Sequence, residues 1–300
     1  MSTRFCLAFV VAVMAAWPAG AQQPPASDGK LRIIAFGAHP DDCDGRAGGT
    51  AIKWAALGHH VKFVSVTSGD AGHQSQGGGA LATRRRNEAR EAGRRFGIDE
   101  YETLDNHDGE LVPSLEVRHQ IIRKIRQWNA DLVLSPRPWD YHPDHRYTGV
   151  LVQDAAYMVV VPNVCPDTPA LRRNPVFMYF QDGFQRPCPF RPDMVVAIDE
   201  VIDKKIYAID AHTSQMYEWL PWVAGNLDKV PADPAARLEW LRKTRGGRGL
   251  PEAMREEVRK WYGAQADSIR SVEAFEICEY GRRPSQEELR RLFPFFPAGK

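Results

Sequence analysis

Nowhere in this chain do two cysteines form a Cys-x-x-Cys pair. That lack argues against a structural zinc site built on thiolates. No Gly-x-Gly-x-x-Gly follows the first strand-like run, so a pyrophosphate would find no glycine cradle there. Net charge is almost missing too: 39 Lys and Arg against 38 Asp and Glu leave +1. Without a basic excess nothing points to a nucleic-acid partner. Beyond the N-terminus no apolar run is long enough to cross a bilayer. There is no internal repeat, and the one low-complexity tract is Gly77-Gly78-Gly79.

What is present begins with a leader. Arg4 gives a positive start, residues 5–17 an apolar run of about a dozen residues, and Pro18-Ala19-Gly20-Ala21 a small-residue cleavage site. Residues 1–21 therefore read as a signal peptide, and the mature chain as exported, periplasmic or secreted. Cys6 lies inside the apolar run, which argues against a lipid anchor. Cleavage removes Arg4 and leaves equal numbers of acidic and basic residues, with no stable membrane span. Residues 22–30 are polar and read as a flexible N-terminus. Cys43, Cys165, Cys188 and Cys278 remain. Export permits disulfides. Cys165 and Cys188 flank a Pro-rich excursion and either bridge it or stay free, which spacing alone does not decide.

The middle of the chain alternates. Residues 31–37 read as a buried strand, and Gly48-Gly49-Thr50 opens a helix to about Leu57. Residues 61–66 read as a second strand, followed by a glycine-rich loop from Gly69 that is expected to be mobile. Residues 80–96 form a charged helix closed by Gly97, and a short strand lies near 101–104. Ser114 caps a helix over 115–128, and 130–135 is the next strand. This is the α/β pattern of βαβ units: a Rossmann-like, mostly parallel sheet with helices on both faces. Further strands are expected at 176–180 and 194–198, then a long helix over 199–222. One domain is read over 31–225, with 226–300 as its helical C-terminal elaboration.

The chemistry stands at two strand ends. Ala38-His39-Pro40-Asp41-Asp42 follows the first strand, and His142-Pro143-Asp144-His145 follows the strand at 130–135. In open α/β sheets that edge is where ligands bind. Imidazole and carboxylate suit a hydrolytic zinc site of three ligands and an open position. His39 and Asp42 can converge from one turn, and His145 can supply a third ligand. Asp41 is left over and can act as a general base. His142 can serve as an acid or stabilise an oxyanion. Asp144 can orient an imidazole from behind.

These motifs, with the Gly-Gly-Thr step, Arg85 followed by Glu88, and Lys204, Ala208 and His212-Thr213-Ser214-Gln215 later on, resemble the PIG-L/LmbE-like family of zinc-dependent N-deacetylases. The resemblance spans roughly residues 31–222. It implies a Rossmann-like fold and removal of acetyl groups from N-acetylglucosamine units or cleavage of related amides. It implies one Zn2+ per chain held by His39, Asp42 and His145, with Asp41 as base, His142 as acid or electrophile, Arg85 binding substrate and His212 behind the site. Cys43 stands where the family often has Glu. The substrate class is then a small molecule or glycan, with homo-oligomerisation left open. Rival readings are a zinc hydrolase of another amide or an ester, and a non-catalytic carbohydrate-binding protein; intact Asp41 and His142 argue against the latter.

Overall fold

The computed structural model describes residues 28–246, 249–250 and 252–297. The signal peptide read over 1–21 lies outside them. The chain runs β1 (Arg32–Gly37), α1 (Asp42–Ala56), β2 (His60–Thr67), α2 (Gly78–Phe96), β3 (Glu100–Asn106), α3 (Leu115–Trp128), β4 (Leu132–Ser135), α4 (Pro143–Met158), β5 (Val176–Phe180) and β6 (Met194–Ala197). It continues through α5 (Ile202–Ile209), α6 (Leu220–Val223), α7 (Pro234–Arg245), α8 (Glu252–Tyr262), β7 (Val272–Ile277) and α9 (Gln286–Leu292).

The sheet has the order β3-β2-β1-β4-β5-β7-β6. β1 to β5 pair in parallel, and β7 pairs antiparallel with both β5 and β6. Both faces of the sheet are covered, so the central strands are continuous apolar runs. Ile33 and Ala35 pack into a core shared with α1, α2, α5 and the C-terminal helices. Ile34 and Phe36 pack into the opposite core, under α3 and α4. Chain order reverses between β1 and β4. A crevice opens beyond the C-terminal ends of two strands at such a switch point, and both His/Asp clusters lie there.

Several boundaries differ from the sequence reading. α1 starts at Asp42, not at Gly48; Asp42 and Asp44 occupy its first turn, where carboxylates suit the positive end of the helix dipole. The stretch 199–222 is not one helix. It breaks at 210–212 and resumes at Thr213, leading into a π-helical turn, Gln215–Trp219; at the break His212 turns inward to Asp44. The C-terminal elaboration is mainly helical but also supplies β7. There Glu273 accepts hydrogen bonds from Gly49 N (2.8 Å) and Thr50 N (2.7 Å) and pairs with Lys205 (2.7 Å). All four described cysteines are free. Cys165 packs in the α3–α4 core, while Cys188 sits on a loop whose carbonyl accepts from Arg137.

Candidate metal and catalytic site

Two turns make the site. β1 ends at Gly37 and the chain passes through His39 and Asp41 into α1; β4 ends at Ser135 and leads to α4, capped by His142. Across the crevice His39 Nδ1 lies 3.2 Å from His145 Nε2, His145 Nε2 is 3.4 Å from Asp42 Oδ1, and His39 Nδ1 is 3.6 Å from Asp42 Oδ2. A tetrahedral ion with bonds of about 2.0–2.1 Å spaces its ligand atoms about 3.3 Å apart.

The outer hydrogen bonds fix the tautomers. His39 Nε2 faces Asp108 Oδ1 at 3.0 Å and Asp144 Oδ2 at 3.2 Å. His145 Nδ1 faces Asp140 Oδ1 at 3.0 Å. Carboxylates only accept, so each ring carries its proton on that outer nitrogen. The inner nitrogens then both aim lone pairs at one point beside the Asp42 carboxylate. That donor set suits a divalent cation.

Burial opposes the charged form of His39, yet its bonds to Asp108, Asp144 and Asp42 carry its pKa well above the ordinary value. His145 is also raised, because Asp42 and Asp140 outweigh its burial. Asp42 is held far below the usual carboxylate range despite burial, by His145 and His39. Asp108, also buried, is drawn down to about 2, chiefly by its hydrogen bond to His39. These carboxylates are ready-made counter-charges for a cation.

Among the described residues, two triads hold their donor atoms close enough to share an ion, His39 with His142 and His145, and His39 with Asp108 and Asp144; the latter is a second conceivable metal cluster. It is already filled: Asp144 is fully buried and accepts from Gly109 N (2.7 Å) and Leu111 N (3.3 Å), and the His39 ring proton lies between the two carboxylates.

Asp41 stands apart. Its backbone takes φ 123°, a conformation L-residues rarely adopt and which costs on the order of 1–3 kcal/mol. It is held there by a relay. The Asp41 amide donates to Tyr101 Oη (3.0 Å), that hydroxyl donates to Asp44 Oδ2 (2.6 Å), and Asp44 Oδ1 meets His212 Nε2 (2.8 Å). Asp44 and His212 are fully buried. Burial pushes the Asp41 carboxyl up to about 6, with Arg85 offsetting part of the rise. A carboxylate near that value is tuned for general-base work.

His142 accepts a hydrogen bond from Asp144 N on its Nδ1 (3.2 Å), so its proton sits on Nε2. Burial, then the nearby His39 and His145, lower its pKa. Its ring meets that of His39 edge-on at 4.7 Å. A neutral imidazole offering Nε2–H beside His39 and His145 can donate a hydrogen bond to a developing oxyanion.

The profile of the PIG-L family, described as GlcNAc-PI de-N-acetylase, matches residues 34–156, which carry both clusters. Diacetylchitobiose deacetylase of Thermococcus kodakarensis is 31% identical over 203 residues, 64% of this chain and 73% of that protein. This chain belongs to the PIG-L family. A probable N-acetyl-alpha-D-glucosaminyl L-malate deacetylase of Bacillus cereus is 28% identical, over 68% of this chain and 90% of its own length. Among solved structures, the N,N'-diacetylchitobiose deacetylase of Pyrococcus horikoshii superposes with a TM-score of 0.62 at 26% identity, covering 85% of this chain and 87% of its own.

Against the sequence reading, the structure brings together His39, Asp41, Asp42, His142, Asp144 and His145, with His212 one layer behind. Arg85 differs. It is 2% exposed and donates to Pro40 O (2.9 Å) and Gly69 O (3.1 Å), with Nη2 3.3 Å from Asp41 Oδ1 and Nη1 3.7 Å from Asp108 Oδ2. It faces the base from inside the fold, where it meets no open space for a substrate. A Cβ at Gly69 would fall 2.5 Å from its Nη1, so only glycine fits there. The loop after β2 is also anchored: His73 is buried, its Nδ1 accepts from Ser75 N and Gln76 N, and its Nε2 donates to Glu218 (2.8 Å). Cys43 is buried, and burial drives its thiol well above the usual range, so it packs rather than ligates.

Asp108, Asp140 and Tyr101 were not singled out from sequence. Asp108 follows exposed His107 in a turn, and His107 meets Asp70 instead of the site. Asp140, five residues before His145 and 3.0 Å from its Nδ1, had a readable signal: a carboxylate near a histidine read as a ligand.

Proposed function

We propose that this chain is an exported zinc-dependent hydrolase that removes the acetyl group from an N-acetylglucosamine-type sugar. The observation that carries the reading is the convergence of His39 Nδ1, Asp42 and His145 Nε2, with Asp41 and His142 flanking them. Relatives named for deacetylation of such sugars support the substrate class.

His39, Asp42 and His145 would hold the ion. When bound, it supplies Lewis-acid polarisation of water and of the acetyl carbonyl. Asp41 accepts the proton of the attacking water, whose oxygen adds to the carbonyl carbon. His142 donates Nε2–H to the oxygen that gains charge. As the C–N bond breaks, the proton held by Asp41 passes to the departing nitrogen, giving acetate and the free amine. Arg85 and the Tyr101–Asp44–His212 relay hold Asp41 in line. Tyr141, 73% exposed and edge-on to His142 and His145 at 5.8 and 5.5 Å, borders the mouth and offers a ring face to sugar.

Acetate release from a panel of N- and O-acetylated sugars, with metal analysis of the same preparation, tests this reading. N-acetylated sugars should give acetate only when the protein carries metal. Release from O-acetyl esters alone would favour the esterase alternative. Export rests on residues 1–21, and the secreted protein should begin at Gln22 by N-terminal sequencing.

A further inference from the structure

A second aromatic surface borders the site, made of residues with no part in the chemistry above. The π-helical turn Gln215–Trp219 runs into α6 and sets Trp219 and Trp222 face to face, ring centroids 5.3 Å apart and planes at 16°. Trp222 is 51% exposed and Val223 59%. π-Helical turns are rare and concentrate at functional sites. This one is tied to the loop after β2, since Gln215 Nε2 donates to Gly72 O (3.0 Å) and Glu218 takes both His73 and Arg84.

Gly72 measures how near the platform comes. A Cβ there would lie 3.0 Å from Arg85 Nη1, 3.2 Å from Asp108 Oδ2 and 3.9 Å from Trp219 Nε1. A single small residue thus separates the tryptophan pair from the carboxylate that holds His39. Among the described residues, no hydrogen-bond acceptor meets Trp219 Nε1. Folding gains nothing from leaving this much stacked indole in water. A flat, rigid ring with an N–H at its edge is matched by a pyranose, which has an apolar C–H face and hydroxyls at its rim.

We propose that Trp222, backed by Trp219, is a platform for a further ring of the sugar being deacetylated, so that the protein prefers N-acetylated oligosaccharides to the monosaccharide. This rests on the deacetylase reading and adds a substrate length to it.

Steady-state acetate release from N-acetylglucosamine and its dimer, trimer and tetramer tests the platform. In wild type kcat/KM should rise with chain length. Trp222→Ala should raise KM for the responsive oligomers about three- to tenfold, the scale of one aromatic contact, with kcat and metal content unchanged. The monosaccharide should be unaffected, and Trp222→Tyr should recover most of the loss. Equal effects on monomer and oligomers, or none, overturn the proposal. So does a drop in oligomeric state with chain-length preference intact, which would make the patch an interface between copies. If no sugar releases acetate, tryptophan quenching by the tetramer separates the two readings. Binding that Trp222→Ala abolishes keeps the platform and sinks the deacetylase, whereas no binding sinks the platform.

Discussion

Asp41 is where sequence, strain and chemistry meet. Its backbone conformation is unfavourable, and Arg85 with the Tyr101–Asp44–His212 relay holds it in place. Asp41→Asn should keep the metal yet lose about a hundred-fold or more in kcat, since an amide cannot accept the water's proton; kinetics on metal-assayed protein check this. The pH dependence follows from its raised value. The carboxylate must be ionised to act, so activity should fall as pH drops through about 6. A bound cation beside it favours the ionised form, so in the metal-loaded enzyme the limb should lie below about 6. Near-normal turnover of the asparagine variant, or an acid limb that the substitution leaves unmoved, would make Asp41 structural. Tyr101→Phe removes the hydroxyl that receives the Asp41 amide. It should lower kcat more than it changes KM with the metal retained; an equal change in both would point to general loosening.

At the scale of elements, β7 decides more than its length suggests. It sits between β5 and β6 and carries Glu273 into α1, where its carboxylate takes two backbone amides and the Lys205 ammonium. Removing one partner of a buried pair leaves the other charge uncompensated. Glu273→Gln should therefore destabilise the fold by about 3–5 kcal/mol, read from denaturant melts. A change within about 0.5 kcal/mol, typical of surface sites, would show that the amide satisfies the same donors. The run Val272-Glu273-Ala274-Phe275-Glu276-Ile277 does not alternate apolar with polar residues, because the buried Glu273 shares its face with Phe275 and Ile277, so no period marked it as a strand. The break at 210–212 was not legible, because only the distant Asp44 calls His212 inward.

For the whole molecule, metal and fold should be coupled. His39 and Asp42 come from the end of β1 and His145 from α4, so an ion at their meeting point ties the two halves of the sheet across the switch point. Chelation should lower the melting temperature, and zinc should restore it in a concentration-dependent way. His145→Ala should abolish both the metal and this response; full occupancy in that variant would overturn the ligand assignment.

The sequence by itself determined the parallel α/β architecture and the two ligand clusters. Strand-length apolar runs, helix punctuation and His/Asp groups at strand ends are local signals, and a switch point brings such ends together whatever the loops do. Only the tertiary structure decided which side chains stand behind them. Asp108, Tyr101 and the buried Arg85 act through contacts some tens of residues apart in sequence, and no local period records such contacts. The tryptophan platform belongs with them, for its place beside the site depends on how a π-helical turn packs against a loop far upstream.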